Sequence, residues 1–328
     1  MAGSISSKDS DFKALLKQFT SYPSGSAADW KTHYAPLVNR VITHHEKTNP
    51  VLSVIVVAYR SSEILLDCLK HIRIQEDVNN SEVELILVDN TGIESLRSSL
   101  PDWVDIEIRM AGNTHACRAR NLGVAFANAP VVNFVDDDGL VRTDYIKHGL
   151  KYFNDDRIAS VRTRIEALNH RYFTTVADHY SRGSDVVEDY LMTEGSMFIR
   201  RDIFVDVGGF GEALYGGDGI DLTYRILKTN PNTKIFYIPD AVLKHDFVDS
   251  WKKFVIKNWR YTPTNLHIDG IDPDFTRFKE EYPPHRFVRD FFTIDEYIAF
   301  IFLHNFRKIL WRLAKIVKRI KFQFYRMN

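Results

Sequence analysis

The chain has 328 residues, of which 45% are hydrophobic and 26% charged, as in an ordinary globular protein. Its two cysteines provide neither a disulfide framework nor a metal-ligand spacing, and no apolar run is long enough to cross a bilayer. The first ten residues are polar and have neither the basic nor the apolar region of a secretory leader. We therefore expect a cytoplasmic protein and exclude the disulfide-rich secreted and membrane-spanning classes.

The formal charge of zero hides an uneven distribution. Residues 297–328 contain eight basic residues and no acidic one, which leaves 35 basic against 43 acidic residues in the first 296. Apolar residues recur at helical spacing in this basic tail. We expect an amphipathic helix that contacts an anionic membrane surface; the alternative is a helix packed on the core with a solvated basic face. No nucleic-acid-binding module accompanies the tail and the body is acidic, so we do not expect nucleic-acid binding.

Three regions follow one another along the chain. Residues 1–49 are polar with short amphipathic pieces and predict an N-terminal helical extension. Residues 50–260 predict an α/β domain, with strands over 51–59, 83–88, 105–110 and 131–135 and helices over 61–72 and 116–127. This alternation is typical of a doubly wound, Rossmann-like, mostly parallel sheet with helices on both faces. Residues 261–328 form a C-terminal helical region that ends in the basic tail.

The second half of the α/β domain is less regular. A short strand over 195–201 leads into a helix at residue 202, and two glycine-rich turns follow at 208–210 and 216–219. A helix over 220–228, a strand over 234–238 and a helix over 250–259 complete the predicted domain. One continuous domain fits this pattern better than two independent ones.

Three consecutive carboxylates, Asp136 to Asp138, follow the apolar run Val131–Val135 directly. Adjacent like charges repel one another, so the end of this strand requires a cation unless it is a solvated turn. Ligands of open α/β sheets bind beyond the carboxyl ends of the strands. A divalent ion that carboxylates share with substrate phosphates would relieve the repulsion.

The order of motifs over residues 51–260 resembles family 2 glycosyltransferases of the GT-A type. Residues 53–60 resemble the family's first strand, 85–90 its second, and 119–123 its Ala-Arg-Asn-x-Gly helix start, while Asp136–Asp138 falls at its Asp-x-Asp motif. The resemblance implies a metal-dependent, inverting transferase that uses a nucleotide-diphosphate sugar, with a UDP-sugar favoured. It implies donor contacts from Ala58, Tyr59, Asp89, Arg120, Asn121, Asp136 and Asp137, with Arg118 as the alternative to Arg120.

The same resemblance implies Mn²⁺ or Mg²⁺ held by Asp136, Asp138 and His245, with Asp138 the main direct ligand. A lone histidine such as His245 can instead be an ordinary hydrogen-bonded side chain. For the base that deprotonates the acceptor, the family has a Glu-Asp pair, whose Asp corresponds to Gly219 here. Asp218 is then the candidate base.

The sequence leaves two alternatives open and disfavours a third. Asp136 also resembles the nucleophile of haloacid-dehalogenase-type phosphatases, although Leu140 follows where that family normally has Thr. Gly219 makes a non-catalytic nucleotide-sugar-binding relative credible. A nucleotidyltransferase would require a glycine-rich phosphate loop, which residues 60–63 do not provide. For the transferase, we expect a saccharide or lipid-linked acceptor and a role in polysaccharide biosynthesis.

Overall fold

A computed structural model of the chain describes residues 23–59, 63–90, 100, 102–212, 217–261, 273–282 and 292–327. Within these ranges ten strands form one sheet, flanked by helices. The strands are β1 (Val38–Thr43), β2 (Leu52–Ala58), β3 (Val83–Asp89), β4 (Ile106–Met110), β5 (Val131–Asp136), β6 (Leu140–Val141), β7 (Ile158–Glu166), β8 (Val187–Glu188), β9 (Ser196–Arg200) and β10 (Lys234–Lys244). The helices are α1 (Ala27–Tyr34), α2 (Glu63–Arg73), α3 (Ala116–Phe126), α4 (Tyr145–Leu150), α5 (Arg171–Thr174), α6 (Arg201–Asp206), α7 (Asp218–Thr229), α8 (Trp251–Tyr261), α9 (Pro273–Glu281) and α10 (Ile294–Met327).

The half of the sheet that carries the acidic cluster is mostly parallel. Its strand order is β1-β4-β3-β2-β5-β9-β7-β10-β6, with β8 paired to β10. Strands β4, β3, β2 and β5 run parallel, β9 runs antiparallel to its neighbours β5 and β7, and β7 and β10 are again parallel. The chain order reverses between β2 and β5, which creates the crevice where open α/β sheets bind ligands.

The central strands are buried on both faces, as their continuous apolar runs predict. In β2, Val54 and Val56 belong to the core on one side of the sheet and Ile55 to the core on the other. Leu69 of α2 lies in the first core and Leu122 of α3 in the second. The predicted doubly wound architecture is therefore confirmed.

The N-terminal region differs from the predicted helical extension. Its described part contains α1 and a short 3-10 helix (Ala35–Leu37), and β1 pairs antiparallel with β4 at the edge of the main sheet. Ser26 caps α1 through the backbone N–H of Asp29, and the Asp29 carboxylate accepts from the Ser26 N–H in return. Trp30 of α1 is fully buried in the same core as α3. Residues 27–43 therefore belong to the α/β domain.

The C-terminal helix α10 is longer than the apolar spacing of the tail indicates and spans 34 residues. Its buried side chains Phe300, Leu303, Leu310 and Ala314 recur on one side and pack toward α5 and α8. Among the described residues, no helix is long and apolar enough to cross a membrane.

Replacing Trp30 by Ala tests whether the N-terminal segment is part of the fold. We expect the free energy of unfolding to fall by about 3–5 kcal/mol, because a fully buried aromatic side chain leaves a cavity against Phe204 and α3. Thr32→Ala on the exposed side of α1 is the control and should change it by less than about 0.5 kcal/mol. Denaturant unfolding measures both variants, and a loss below about 1 kcal/mol for Trp30→Ala would contradict the assignment.

Candidate donor and metal site

The site begins where the parallel strands β2, β3 and β5 end side by side. Ala58, the last residue of β2, is paired in register with Asp89, the last residue of β3. The backbone N–H of Tyr59 donates to Oδ2 of Asp137 at 3.1 Å, across the reversal between β2 and β5. Asp89 is buried, whereas the Tyr59 side chain is exposed. The structure thus brings four of the predicted donor-binding residues to one edge of the sheet.

Asn90 organises the loop that leads into α3, a role that the sequence motif does not indicate. Its Oδ1 accepts from the backbone N–H of Thr114 at 2.9 Å, and its Nδ2 donates to Oδ1 of Asn113 at 3.1 Å. His115, which follows Thr114, has a backbone φ of 78°. A non-glycine residue in this region costs about 1–3 kcal/mol, and such strain concentrates at functional sites.

The two candidate arginines of α3 point to different partners. Arg120 donates from Nη2 to Oδ1 of Asp136 at 2.7 Å, whereas Nε of Arg118 donates to Oε2 of Glu212 at 3.1 Å. Arg120 therefore lies at the acidic cluster and Arg118 does not. Asp136 has its charge partly balanced within the protein.

Asp138 and His245 lie together at the rim of this crevice. Nε2 of His245 is 3.1 Å from Oδ1 of Asp138, and Nδ1 of His245 is 2.8 Å from the hydroxyl of Tyr180. Burial raises the pKa of Asp138, but the hydrogen bond and charge of His245 outweigh it and lower this pKa. Burial lowers the pKa of His245, and Asp138 more than compensates, so this pKa is raised. The two groups therefore attract each other as an ion pair.

Asp246, the neighbour of His245, fixes the histidine segment to the rest of the domain. Its carboxylate accepts from the backbone N–H groups of Leu168, Asn169 and His170 at 2.8–3.0 Å. The His245 N–H also donates to the carbonyl of Glu166 at 2.8 Å. These bonds hold the imidazole on a rigid backbone.

The side chain of Asn121 bonds to the backbone of Phe210 through both its polar atoms. Its side chain is fully buried, Nδ2 donates to the Phe210 carbonyl at 2.9 Å, and Oδ1 accepts from the Phe210 N–H at 2.9 Å. The motif residue ties α3 to the glycine-rich turn before α7. The donor contact predicted for Asn121 stays a prediction.

Asp218 begins α7 after Gly217 and is only 8% exposed. It faces the buried thiol of Cys117, and its Oδ1 has no hydrogen-bond partner among the described residues. Burial, reinforced by the nearby charge of Glu194, raises the pKa of Asp218 to about 8. Asp218 therefore carries a proton at neutral pH.

Glu194 was missed by the sequence reasoning. Its Oε1 accepts from the backbone N–H of Gly219 at 2.8 Å, which places the carboxylate at the start of α7. A Cβ on Gly219 would overlap the carbonyl oxygen of Leu191, and one on Gly195 would overlap the carboxylate of Asp136. Glu194 lies directly before β9, the partner strand of β5, and this position is the sequence signal that could have identified it.

Asp221 has a structural role in the first turn of α7. Its Oδ2 accepts from Nε and Nη2 of Arg225 at 3.0 and 2.7 Å, and Nη2 of the same arginine donates to the Gly209 carbonyl at 2.6 Å. The ion pair therefore anchors the glycine-rich turn to α7.

The three predicted metal ligands do not converge on one point. In the described part of the chain, no group of three or more His, Cys, Asp and Glu side chains could hold a metal ion. Asp138 and His245 form a pair, while Asp136 is turned toward Arg120. One half-exposed carboxylate beside one imidazole fits a divalent ion that completes its coordination with substrate phosphates and water.

A mostly parallel sheet with an acidic cluster beyond its strand ends defines an open α/β domain of the kind that binds ligands at this edge. The sequence profile of glycosyl transferase family 2 matches residues 53–210. These residues, just under half of the chain, are similar to glycosyl transferase family 2, and the fold is that of the GT-A glycosyltransferases.

Two relatives are named glycosyltransferases. The pre-mycofactocin glycosyltransferase of Mycobacterium tuberculosis is 27% identical over 169 residues, which is 48% of this chain and 36% of that protein. Glycosyltransferase AglE of Haloferax volcanii is 23% identical over 189 residues, which is 54% of this chain and 62% of that protein. The chain thus spans less than two thirds of the length of either relative.

Two solved structures share the fold. A mannosyltransferase from Pyrobaculum calidifontis in complex with GDP-Man and Mn²⁺ aligns with a TM-score of 0.53 at 14% identity, over 93% of this chain and 80% of that one. GalNAc-T7 with UDP, GalNAc and Mn²⁺ aligns with a TM-score of 0.52 at 14% identity, over 74% of this chain and 56% of that one.

The raised pKa of Asp218 makes a prediction about stability. An unfolded Asp titrates near 3.9, so between about pH 4 and pH 8 the folded state holds a proton that the unfolded state has lost. Stability contributed by this group therefore falls as pH rises through that window, by up to about 1.4 kcal/mol per unit. Asp218→Asn should remove this loss. Denaturant unfolding at pH 5 and pH 7.5 measures it.

The matched control for this measurement is Asp67→Asn on the exposed side of α2. Its pH dependence should follow that of the unmodified protein, because other titrating groups contribute equally to both. If Asp218→Asn loses as much stability between the two pH values as the unmodified protein, the buried proton is absent.

Proposed function

We propose that the protein is a metal-dependent glycosyltransferase that moves a sugar from a nucleotide-diphosphate donor, with a UDP-sugar favoured, to a hydroxyl acceptor with inversion. The observation that carries the proposal is the Asp138–His245 pair beside the nucleotide-facing ends of β2 and β3. Both structural neighbours described above have a nucleotide and Mn²⁺ bound. The family match disfavours the phosphatase that Asp136 alone would allow.

In this proposal the donor lies along the strand ends. Asp89 and the Tyr59 region contact the nucleoside, and Asp137 is held in place by the Tyr59 N–H. Arg120 and Asp136 lie as an ion pair on the side of the diphosphate and sugar. The charged guanidinium is suited to a phosphate oxygen that displaces part of its contact with Asp136.

Asp138 and His245 would hold Mn²⁺ or Mg²⁺, which neutralises the charge on the departing diphosphate when bound. Binding requires Nε2 of His245 without its proton, so Nδ1 keeps one and donates it to the Tyr180 hydroxyl. The buried tyrosine fixes both the tautomer and the ring orientation. Hydrogen bonds from residues 168–170 to Asp246 limit movement of the same segment.

Replacing Asp138 by Asn tests the metal site with little change of shape. Because a carboxylate ligand becomes a neutral amide, we expect Mn²⁺-dependent binding of UDP-sugars or GDP-mannose to weaken by at least about tenfold. Isothermal titration calorimetry with and without Mn²⁺ measures it, and Asp156→Asn at a fully exposed position is the control. Unchanged metal-dependent binding by Asp138→Asn would refute the assignment.

A second proposal concerns the exposed side of α10, which we infer lies on an anionic membrane surface. Ile298, Phe302 and Ile309 recur on the side opposite the buried stripe and are 62%, 60% and 52% exposed. Trp251 of α8 extends this apolar face, since its ring lies 6.0 Å from that of Phe302. Such an exposed apolar surface is characteristic of an interaction site.

Charge identifies the favoured occupant. Lys308, Arg312 and Lys315 are exposed along the same helix, and residues 297–328 contain no acidic side chain. An apolar stripe beside basic side chains suits the interface of an anionic bilayer, with the apolar face buried among acyl chains. The arrangement suits a lipid-linked acceptor and a peripheral location at the cytoplasmic face.

The variant Ile298→Ser/Phe302→Ser/Ile309→Ser tests this surface. We expect the unmodified protein to sediment with phosphatidylserine-containing vesicles at low salt and the variant to bind at least about tenfold more weakly, because three exposed apolar side chains are lost. Asn305→Ser on the same face is the control. If the unmodified protein does not bind the vesicles, the face does not bind lipid. The same conclusion follows if analytical ultracentrifugation shows that the substitutions instead abolish a dimer.

A further inference from the structure

We propose that Glu194 is the catalytic base that accepts the proton of the acceptor hydroxyl, in place of the carboxylate that the family resemblance predicts at position 219. The inference rests on the proposed glycosyltransferase function and assigns a residue within it. No sequence motif pointed to Glu194. It enters the site from the segment that precedes β9 rather than from α7.

The first argument is that position 219 has no room for a side chain. A Cβ there would overlap the carbonyl oxygen of Leu191, which is a backbone atom with little freedom to move. The chain before β9 therefore occupies the space that an aspartate at the start of α7 would fill. Gly219 is a consequence of this close approach, and the missing carboxylate need not mean a missing base.

The second argument is that Glu194 returns a carboxylate to the same place. Its Oε1 lies 3.1 Å from the position of a Cβ on Gly219 and accepts from the Gly219 N–H at 2.8 Å. The oxygen therefore lies close to the space from which a side chain at position 219 would extend. A carboxyl group thus lies at the first turn of α7 in either case, supplied from a different segment of the chain.

The third argument is that Glu194 lies beside the donor site. The adjacent Gly195 packs directly against the carboxylate of Asp136, and its carbonyl accepts from the Asp136 N–H at 3.2 Å. The pairing of β5 with β9 fixes this contact in the sheet. A base at Glu194 is therefore held next to the residues that would contact the diphosphate and sugar.

Asp218, the carboxyl group that neighbours Glu194, is unsuited to act as the base. Asp218 is only 8% exposed and faces the thiol of Cys117, so an acceptor hydroxyl has little access to it. Its raised pKa keeps it protonated at neutral pH. Glu194 is half-buried and keeps one oxygen on the Gly219 N–H. Of these two neighbouring carboxyl groups, Glu194 is therefore the one that an acceptor hydroxyl can reach.

The transfer step balances with these groups. The acceptor oxygen forms a bond to the anomeric carbon as the bond from that carbon to the diphosphate oxygen breaks. The bonding electrons leave with the nucleoside diphosphate, and the hydroxyl proton moves to the Glu194 carboxylate. A positioned base of this kind contributes about 10²- to 10⁴-fold to the rate.

The test compares Glu194→Gln with the unmodified chain. Glutamine still accepts from the Gly219 N–H, so the fold is preserved while basicity is lost. Nucleoside diphosphate release is measured with UDP-glucose, UDP-N-acetylglucosamine or GDP-mannose, Mn²⁺ and 4-nitrophenyl glycosides as acceptors. We expect kcat to fall at least about 100-fold while the donor Kd stays within about threefold. Glu188→Gln, an exposed residue of β8, is the control.

Two further variants separate catalysis from structure. Asp218→Asn should reduce kcat less than Glu194→Gln does, because the amide imitates the protonated carboxyl group. In Glu194→Ala, added formate should restore part of the rate by placing a carboxylate in the vacated space. A residue that only stabilises α7 would show no such rescue.

The outcomes distinguish this inference from the proposed function. If the unmodified chain transfers sugar and Glu194→Gln keeps its kcat, or if Asp218→Asn alone loses it, Glu194 is not the base and the transferase assignment stands. If the unmodified chain releases no nucleoside diphosphate with any donor, the proposed function fails, and the assignment of Glu194 fails with it.

Discussion

The pairing of β2 with β5 is the contact on which the rest of the site depends. It places the chain reversal of the sheet between Tyr59 and Asp137, and the 3.1 Å hydrogen bond across that reversal fixes the acidic segment against the C-terminal end of β2. Strand β5 also pairs antiparallel with β9, and Glu194 lies just before β9. This pairing therefore places Glu194 on the other side of Asp136. Donor and acceptor sides of the site are thus joined through one central strand, so a shift of its register would displace both.

The fold was largely predictable because its central strands are apolar on both faces and alternate with helices whose periodicity is strong. The N-terminal segment escaped this reasoning because β1 is an edge strand with a mostly exposed, polar sequence. The length of β10 was underestimated because Pro239 and Asp240 interrupt the apolar pattern while the strand continues past them with a register shift. Local pattern predicts elements well where burial is symmetric and less well at sheet edges and irregularities.

The site was predictable only where one short segment carries the chemistry. Asp136 to Asp138 are adjacent, so the strand that precedes them was enough to locate them. Glu194 depends on a contact between segments 25 residues apart, and the motif at α7 indicated only that a carboxylate was missing. The contact of Asn121 with the Phe210 backbone likewise joins segments far apart in sequence, so the motif around Asn121 did not indicate it.

The carboxyl groups of the site are accommodated by different means. Asp136 pairs with Arg120 and Asp138 with His245, while Asp218 avoids charge by remaining protonated. Each solution leaves a different capacity. An ion pair with arginine can be exchanged for a phosphate, and an ion pair with histidine can be exchanged for a metal once the imidazole loses its proton. A buried, neutral carboxyl group such as that of Asp218 can make neither exchange. We therefore assign proton removal to Glu194, its more exposed neighbour.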